Sequence, residues 1–589
     1  MNNEMEKTVD EKRLALLDRR RRLLAMPPEK ALEAILDSPD AMPLVHSFAE
    51  EDLYFLIHDI GIGDALPILS MASESQWEYI LDAEGWQRDR ISLAATLEWF
   101  DLLSSADENR LVQWIQTDKR DLFAFCLFKT IAVRVREHDE DPSRFGNEFI
   151  TLDGTYYFRF LEPAAPDSAD EDSVGERQEI VLALLKKLAD ADHFQYQKIL
   201  FEFLNILPAE TEEEIYRLRN VRLAEKGFLP FEEAVGIYQP LQGGMPGRMR
   251  KEIRDAEDQK ASIPLSLYPA TIISGDDLFS RAVSRIDFSK QHAELESEFA
   301  VLCNTIIAAD QKTIRERAEL DEIVAKACGY VSIGLQHLSD DTEKPRMETL
   351  QRLIFEYPLS SLFKIGYGLV LELKWRADRW LSKSWFQENG LGLGFWGEEW
   401  LGVLGGLLLK RPLYYDNFET GSLYREFTSM ADIHKTEAVV SDVFRFDTLF
   451  SVMRLSVKAV SGFFLTYKNV LLTLWARERL DLGSDLAPIP LDRFRSFFED
   501  IFQAAGQDRP MVGAEEALTE RRITDKAKTS FVTWIAQQTG WTDADITDRY
   551  GKVFHALFQE LESEYGRVAA KNLDPRYIGL LLLEPEADI

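Results

Sequence analysis

The sequence predicts a predominantly α-helical protein, and three observations carry that prediction. Apolar residues recur at helical spacing through most of the 589 residues. Short helices with a recurring start fill the amino-terminal region, and a single segment has a clear strand–turn–strand pattern. We therefore expect an irregular N-terminal superhelical repeat of short helices, one small β-hairpin, and then a large multi-helix body.

The composition indicates a folded protein and disfavours a nucleic-acid partner. The chain has 68 Lys and Arg against 101 Asp and Glu, a formal net charge of −33, and 46% of its residues are hydrophobic. That hydrophobic content excludes the disordered class, while the negative charge would repel a polyanion. Three widely spaced cysteines, Cys126, Cys303 and Cys328, are typical of reduced core thiols. Neither a membrane-spanning run nor a secretory-type leader is apparent, so the sequence predicts a cytoplasmic protein.

Residues 1–27 are predicted to form a basic N-terminal helix or arm. Leu14, Leu17 and Leu24 can share one stripe, whereas the four arginines of residues 19–22 lie mostly off it. Two interpretations stay open. The first is a patch for nucleic acid or membrane, and the second is a solvated helix face or an arm that packs on the protein's own acidic surface. The net charge of the chain favours the second.

Residues 28–147 are predicted to form a superhelical repeat of short helices. Three segments each place an acid three residues before an apolar residue, Leu53, Trp77 or Leu111, with an apolar pair three and four positions later, so these side chains share one helical stripe. Two starts have capping-box spacing, Ser47 with Glu50 and Ser105 with Glu108. Such helices bury their faces by stacking on neighbours.

In this pattern, residues 28–130 resemble the cytosolic N-terminal helical domain of bacterial magnesium transporters. The resemblance implies a right-handed superhelix and suggests Mg²⁺ sensing as one hypothesis. The membrane-spanning helices of those transporters have no counterpart in this sequence, so transport is not implied.

A β-hairpin is predicted at residues 148–161 and an acidic linker at residues 162–176. Asp153-Gly154 supplies the positive φ angles of a two-residue turn, and β-branched and aromatic residues flank it. The following residues contain two prolines and six acids without a base, which is typical of a flexible loop.

Residues 177–260 are predicted to be a helical segment that ends in a loop rich in glycine, proline and basic residues. Arg248, Arg250 and Lys251 in this loop are candidates for binding an anion, with a plain mobile loop as the alternative. The stretch from Arg219 to Tyr238, with the helical and aromatic-rich remainder, resembles an uncharacterised bacterial domain-of-unknown-function family over most of the chain. That resemblance implies an architecture but no activity, ligand or partner.

Residues 261–589 are predicted to form one large helical domain. Proline breaks and apolar periodicity divide it, and the expected helical segments are 290–309, 313–338, 346–356, 359–381, 398–409, 443–480, 491–505, 514–538 and 543–570. The longest of them, 443–480, is compatible with either one helix or two.

Two motifs resemble functional sites, one a dinucleotide-binding loop and the other a metal site, but both are better explained by a structural role. Residues 392–397 spell G-x-G-x-x-G, and Asp416 follows at dinucleotide-site spacing, but no buried strand precedes the first glycine, so we interpret the segment as a packed connector. The pair His58-Asp59, with His46 upstream, lacks the further ligands of a metal-dependent hydrolase. The sequence therefore gives no catalytic residue, no metal ligand and no cofactor.

The sequence favours a protein-interaction or regulatory scaffold that uses the surface of the helical repeat and binds an unidentified protein partner. Neighbouring repeats form a continuous surface, which suits binding. The alternative is an enzyme of unknown reaction whose pocket is lined by the aromatic span of residues 355–415. That span contains Trp375, Trp380, Trp385, Trp396 and Trp400.

Overall fold

A computed structural model describes the fold of residues 16, 19–20, 22–162, 171–204, 207–241, 275–286, 290–339, 345–455, 457, 463–504 and 521–584. The chain divides into two compact units, residues 1–365 and residues 366–589. Helices dominate both units, and the strands form small antiparallel sheets. This confirms the prediction of a predominantly α-helical protein.

The first unit begins with a series of short helices, as the sequence predicts. They are α1 (Pro28–Leu36), α2 (Ala41–Ser47), α3 (Glu50–Ile60), α4 (Leu66–Met71), α5 (Glu74–Glu84), α6 (Leu93–Ala106), α7 (Glu108–Gln116) and α8 (Arg120–Thr130). Leu53, Trp77 and Leu111 lie on α3, α5 and α7, and all three are fully buried. The predicted stripe is therefore the inner face of this helix series.

The two predicted capping boxes are wrong. Helix α3 starts after Ala49, which offers no side-chain cap, and α7 is capped by Asp107, which accepts from the amide of Arg110. A capping box does form on α5, where Ser73 and Gln76 each accept from the other's backbone amide. Spacing alone did not find the caps, because the Ncap residue must also leave the helical conformation at that position.

Two small sheets belong to the first unit. Strands β1 (Trp86–Gln87) and β2 (Arg90–Ile91) form a tight hairpin. The predicted hairpin of residues 148–161 is present as β4 (Ile150–Thr151) and β5 (Tyr156–Phe160), with Gly154 at a φ of 71° in the turn. A third strand, β3 (Ile131–Val135), pairs with the other edge of β5 from Ile131↔Phe160 to Val135↔Tyr156. This partner strand, which sequence reasoning missed, gives the hairpin the extra pairing that two strands lack.

The first unit continues with a further series of helices, and the first of them begins inside the segment expected to be a linker. They are α9 (Glu171–Ala191), α10 (His193–Phe203), α11 (Pro208–Glu225), α12 (Phe231–Ala234), α13 (Leu278–Val283), α14 (Lys290–Asp310), α15 (Arg317–Leu338), α16 (Met347–Glu356) and the start of α17 (Leu359–Leu381). Helix α9 thus begins five residues before the expected end of the acidic linker. Cys126, Cys303 and Cys328 are unpaired and buried.

The second unit continues from α17 with helices of 4 to 23 residues and two β-ribbons. The helices are α18 (Trp385–Glu388), α19 (Gly397–Leu407), α20 (Met430–Val452), α21 (Tyr467–Arg479), α22 (Leu491–Ile501), α23 (Asp525–Thr539) and α24 (Asp543–Tyr565). Strand β6 (Tyr414–Tyr415) pairs with β7 (Tyr424–Arg425), and β8 (Phe502–Ala504) pairs with β9 (Arg521–Ile523).

The helix expected over residues 443–480 is two helices, α20 and α21. Thr466 ends the intervening segment, because its hydroxyl accepts from the amide of Asn469 and the Asn469 side chain accepts from the Thr466 amide. This reciprocal capping starts a new helix at Tyr467.

One aromatic core holds the second unit together. Trp396 lies within 6.3 Å, centroid to centroid, of the rings of Trp380, Phe386 and Tyr467, and Trp400 stacks on Tyr467 at 4.6 Å. Trp475 meets Phe497 and Phe531 edge to face. Side chains from α18 to α24 contribute to this core, so the tryptophans of residues 380–400 fill space with each other.

Candidate functional site

The first unit contains a cluster of charged side chains at a depth where apolar residues are the rule. We call it the charged cluster. Its buried acids are Glu51, Asp52, Asp82 and Glu84, and its cations are Arg219, Arg222, Lys226 and Arg315. The acids come from the start of α3 and the end of α5, two helices that pack side by side.

Glu84 accepts hydrogen bonds on both of its carboxylate oxygens. Its Oε1 accepts from the Tyr54 hydroxyl at 2.6 Å, and its Oε2 accepts from Nη2 of Arg315 at 2.6 Å. His58 Nε2 lies 3.4 Å from Oε1. Burial opposes the charged form of Glu84, but its contacts with His58, Arg315 and Tyr54 outweigh burial and lower its pKa to about 2. Glu84 is therefore an anion at physiological pH.

Asp82 fixes helix α11 to helix α5. Both carboxylate oxygens accept from Arg222, at 2.7 and 2.8 Å, and the Asp82 carbonyl accepts from Nε of Arg219 at 2.7 Å. Glu78, one turn earlier on α5, pairs with Lys119 and lies 3.3 Å from Arg222. This bidentate geometry is the one that arginine forms best with a carboxylate.

Helix α11 is attached by both polar and aromatic contacts. It contributes no fully buried residue, but the Tyr216 ring lies 5.5 Å from the ring of Trp86. Lys226, directly after the helix, pairs with Glu50 at 2.6 Å. Ion pairs therefore add to the apolar contacts that usually anchor a surface helix.

Glu51 differs from its neighbours because burial outweighs the contacts that favour its charged form, among them the nearby Lys226. It is 3% exposed, and its Oε2 has no hydrogen-bond partner among the described residues. Burial is the main cause that raises the pKa of Glu51 to about 7. Glu51 therefore exchanges a proton near neutral pH, which is the behaviour of a general acid or base or of a pH-dependent structural group.

Replacing Glu51 by glutamine is expected to stabilise the first unit at pH 8 by up to about 3 kcal/mol. The folded chain holds a proton on Glu51 up to about pH 7, whereas an unfolded glutamate loses it near its ordinary pKa of 4.5. Wild-type stability should therefore fall as pH rises through this window, and the variant should lack that loss. Urea denaturation at pH 4.5 and pH 8 measures the difference.

Glu50 provides the matched control, because it lies on the same helical turn but is paired with Lys226. Glu50→Gln should not stabilise the protein at pH 8. Equal stabilisation by both variants, or a Glu51→Gln effect that does not change with pH, would contradict the account of Glu51.

Sequence reasoning did not find the charged cluster. The acids at residues 50–52 have the pattern of an ordinary helix start, and acids there are favoured by the helix dipole. Arg219, Arg222 and Lys226 are spaced to share one helical face, which is a detectable signal. Their partners on α3 and α5 are more than a hundred residues away in sequence, so the pairing itself was not readable.

Of the other sequence candidates that the structure describes, one joins the charged cluster. Arg248, Arg250 and Lys251 lie outside the described residues. His58 joins the charged cluster through Glu84, while His46 is exposed on α2. Among the residues that the structure describes, no group of three or more His, Cys, Asp or Glu side chains could hold a metal ion.

The glycine motif of residues 392–397 lies in a helical setting. Helix α18 precedes it, residues 393–396 form a 3₁₀ turn, and Gly397 has a φ of 78°. Phe395 and Trp396 within the motif are buried in the aromatic core. Asp416, the candidate for a ribose contact, pairs with Arg425 at 2.7 Å and accepts from Thr420. The motif residues thus take part in packing and turn formation.

Comparison with known proteins decides the family. A family of unknown function, DUF6178, matches residues 9–584. The chain belongs to this family. For this DUF6178 chain, no curated protein and no solved structure gives a match. The expected membership of a family of unknown function is confirmed, and the resemblance of residues 28–130 to the magnesium-transporter domain is not shown. Within the described part of the DUF6178 chain, no helix is long and apolar enough to cross a membrane.

Proposed function

We propose that the short helices of residues 28–130 form a protein-interaction surface whose partner presents a basic, amphipathic segment. The observation that carries this proposal is the charge of the outer surface. In residues 28–130 the exposed basic residues are Lys30, Arg88, Arg90 and Lys129. The exposed acids are Glu29, Glu33, Asp37, Asp40, Asp64, Glu74, Asp89, Glu98, Asp101, Glu108, Asp118 and Asp121.

Helix α1 presents the clearest patch of this surface. Glu29, Glu33 and Leu36 are exposed and lie on one face, because residues three and four apart are neighbours on a helix. Leu36 is 43% exposed, and Met42 on the next helix is 52% exposed. Acids that surround exposed aliphatic side chains complement a segment with both cations and apolar residues.

The chain's own basic arm supports this choice of partner. Arg19 donates to the Ser38 hydroxyl at 2.8 Å, and Arg20 donates to the carbonyl of Ser47. Leu23 and Leu24 of the arm are buried. Arginines of the arm thus contact the residues next to and within α2, in the same region as the α1 patch.

The alternative functions have less support. The aromatic side chains of residues 380–400 pack on each other, and Asp447 beside them accepts from the amides of Trp385 and Phe386 at 3.3 and 2.9 Å. An enzyme would need unfilled space and an available acid at such a place. Mg²⁺ sensing depends on the transporter resemblance alone.

Neutralising the α1 patch is expected to weaken partner binding at least about tenfold, because each lost surface charge removes part of the attraction to a basic segment. The variant is Glu29→Gln/Glu33→Gln/Asp37→Asn in the full chain. Partners are captured by crosslinking in the native host, and the purified pair is measured by titration at 50 and 300 mM salt. Affinity of the wild type should fall with salt, because exposed charges are screened.

A matched control changes the net charge equally but elsewhere. Glu499, Asp548 and Glu564 are exposed acids of the second unit, and Glu499→Gln/Asp548→Asn/Glu564→Gln should leave binding unchanged. Equal weakening by both triple variants, or a partner whose binding site is acidic, would refute the proposal.

A further inference from the structure

The second unit contains a β-hairpin whose tip is exposed, whereas the interaction surface proposed above belongs to the first unit. The arms of the hairpin are the paired strands β6 and β7, and every residue from 417 to 423 between them is exposed. We call residues 417–423 the hairpin tip. Phe418 is 64% exposed and Leu423 is 39% exposed. The hairpin tip therefore presents two large apolar side chains to solvent.

Phe418 adopts a backbone conformation that is unfavourable for a bulky residue. Its φ is 62°, and that of Asn417 before it is 48°. In this left-handed region the Cβ atom crowds the backbone, which asparagine tolerates better than phenylalanine. The exposed ring also leaves apolar surface in contact with water. Because Phe418 costs stability on both counts and is not part of the aromatic core, its position is best explained by a role in binding.

Charged hydrogen bonds below the hairpin tip fix its shape. The Asp416 carboxylate is 2% exposed, and it accepts from the amide and the hydroxyl of Thr420 at 2.6 and 2.7 Å. Arg425 donates to Asp416 at 2.7 Å and to Asp432 on α20 at 2.9 and 3.1 Å. An apolar side chain on such a preorganised support loses little conformational entropy when it binds.

The arms of the hairpin lie directly on α19, because this helix has glycine where two tyrosine rings pack. A Cβ atom at Gly402 would overlap the Tyr415 ring, and one at Gly406 would lie 2.8 Å from the Tyr424 ring. The amide of Leu413 donates to the Gly406 carbonyl, while Tyr415 lies against Gly402. Strand β6 therefore runs back along α19, and the hairpin tip lies toward the start of that helix.

The charge near the hairpin tip is negative. Both glutamates of residues 398–399 are exposed at the start of α19. The pKa of Tyr415 is raised mainly by burial and then by these two carboxylates, so they lie close to its ring. The Tyr415 hydroxyl donates to Oδ1 of Asn417 at 3.1 Å. Glu419 in the hairpin tip is also exposed, whereas the exposed Lys410 follows the opposite end of α19.

We propose that the hairpin tip anchors a folded protein partner, and that Phe418 enters an apolar pocket on the partner that is bordered by Lys and Arg side chains. A rigid aromatic ring surrounded by acids complements both features of such a pocket. An anionic membrane surface would repel the three glutamates. A second copy of this chain, with its net charge of −33, would be repelled as well.

The test places a photocrosslinking phenylalanine analogue at position 418 of the full chain in its native host. The control carries the same analogue at position 577, because Tyr577 is an equally exposed aromatic residue of the second unit, at 79%, but follows Arg576. One protein should be crosslinked from position 418 and not from position 577. Mass spectrometry should locate the crosslink in an apolar pocket bordered by Lys and Arg.

Titration with the purified partner then measures the contribution of the ring and of the acids. Phe418→Asn should weaken binding at least about tenfold, whereas Tyr577→Asn should leave it unchanged. Glu398→Gln/Glu399→Gln/Glu419→Gln should weaken binding and reduce its dependence on salt. The urea midpoint of Phe418→Asn should equal or exceed that of the wild type, because asparagine accepts the left-handed conformation.

Several results would overturn the proposal. One is that position 418 crosslinks no more than position 577, and another is that the crosslinked molecule is a phospholipid or a second copy of the chain. Cosedimentation with vesicles of phosphatidylethanolamine and phosphatidylglycerol that Phe418→Asn abolishes would assign the hairpin tip to a membrane. A partner site bordered by acids, or a Phe418→Asn variant that binds as well as the wild type or loses binding only together with its stability, would equally exclude it.

Discussion

Replacing Glu84 by alanine is expected to lower the free energy of unfolding of the first unit by about 3–5 kcal/mol. The Glu84 side chain is 1% exposed, and its removal leaves the Tyr54 hydroxyl without its acceptor and Arg315 without its counter-charge. The lower end of the range is expected, because the Arg315 side chain is 58% exposed and water compensates part of its charge. Urea denaturation with peptide-resolved hydrogen exchange assigns the loss to residues 1–365.

The pH dependence distinguishes the role of the charge from that of packing. The pKa of Glu84 is lowered to about 2 in the folded chain, so its stabilising contribution is present above its unfolded value and is lost as pH falls toward 2. The difference in the free energy of unfolding between wild type and Glu84→Gln should therefore shrink as pH falls toward 2. Glu33→Ala on the exposed face of α1 is the control and should change stability by less than about 0.5 kcal/mol. A similar loss for Glu33→Ala and Glu84→Ala would contradict this account.

Replacing Trp396 by alanine is expected to destabilise the second unit by about 3–5 kcal/mol, because a filled aromatic core collapses poorly around a cavity of that size. Trp396 is 1% exposed and is surrounded by the rings of Trp380, Phe386, Phe395, Trp400 and Tyr467. Hydrogen exchange of α18 to α24 should accelerate together. Thermal and urea unfolding of the full chain measure the loss.

Trp375 is the matched control, because it belongs to the same aromatic span but is 41% exposed on α17. Trp375→Ala should cost less than about 1 kcal/mol. If Trp396→Ala were tolerated as well as Trp375→Ala, the space around Trp396 would not be filled. The enzyme alternative for residues 355–415 would then gain support.

The sequence predicted local structure well, but it did not show which residues contact each other across the fold. Apolar periodicity found the inner faces of α3, α5 and α7, and Asp153-Gly154 located the turn of the β4–β5 hairpin. Strand β3 was missed because its pairing depends on a segment about twenty residues away. The helix caps were missed because spacing does not say which residue leaves the helical conformation.

The candidate site shows the same division. The acids of α3 and the cations near α11 are visible in the sequence as charge patterns, and the spacing of Arg219, Arg222 and Lys226 indicates one face. Which acid each cation contacts depends on how α11 lies against α5. The difference between Glu84 and Glu51 depends on donors: Glu84 has Arg315 and Tyr54, whereas Oε2 of Glu51 has none among the described residues.

The sequence by itself determined the helical class, the buried stripe of the short helices, the acidic character of their surface and the membership of a family without known function. These depend on residue type and near-neighbour spacing, which the chain carries locally. Only the tertiary structure decided that the tryptophans of residues 380–400 fill a core, and that Glu84 is paired while Oε2 of Glu51 has no hydrogen-bond partner among the described residues. Burial and pairing arise from segments far apart in the chain, and they set the pKa of a carboxylate and the access to it.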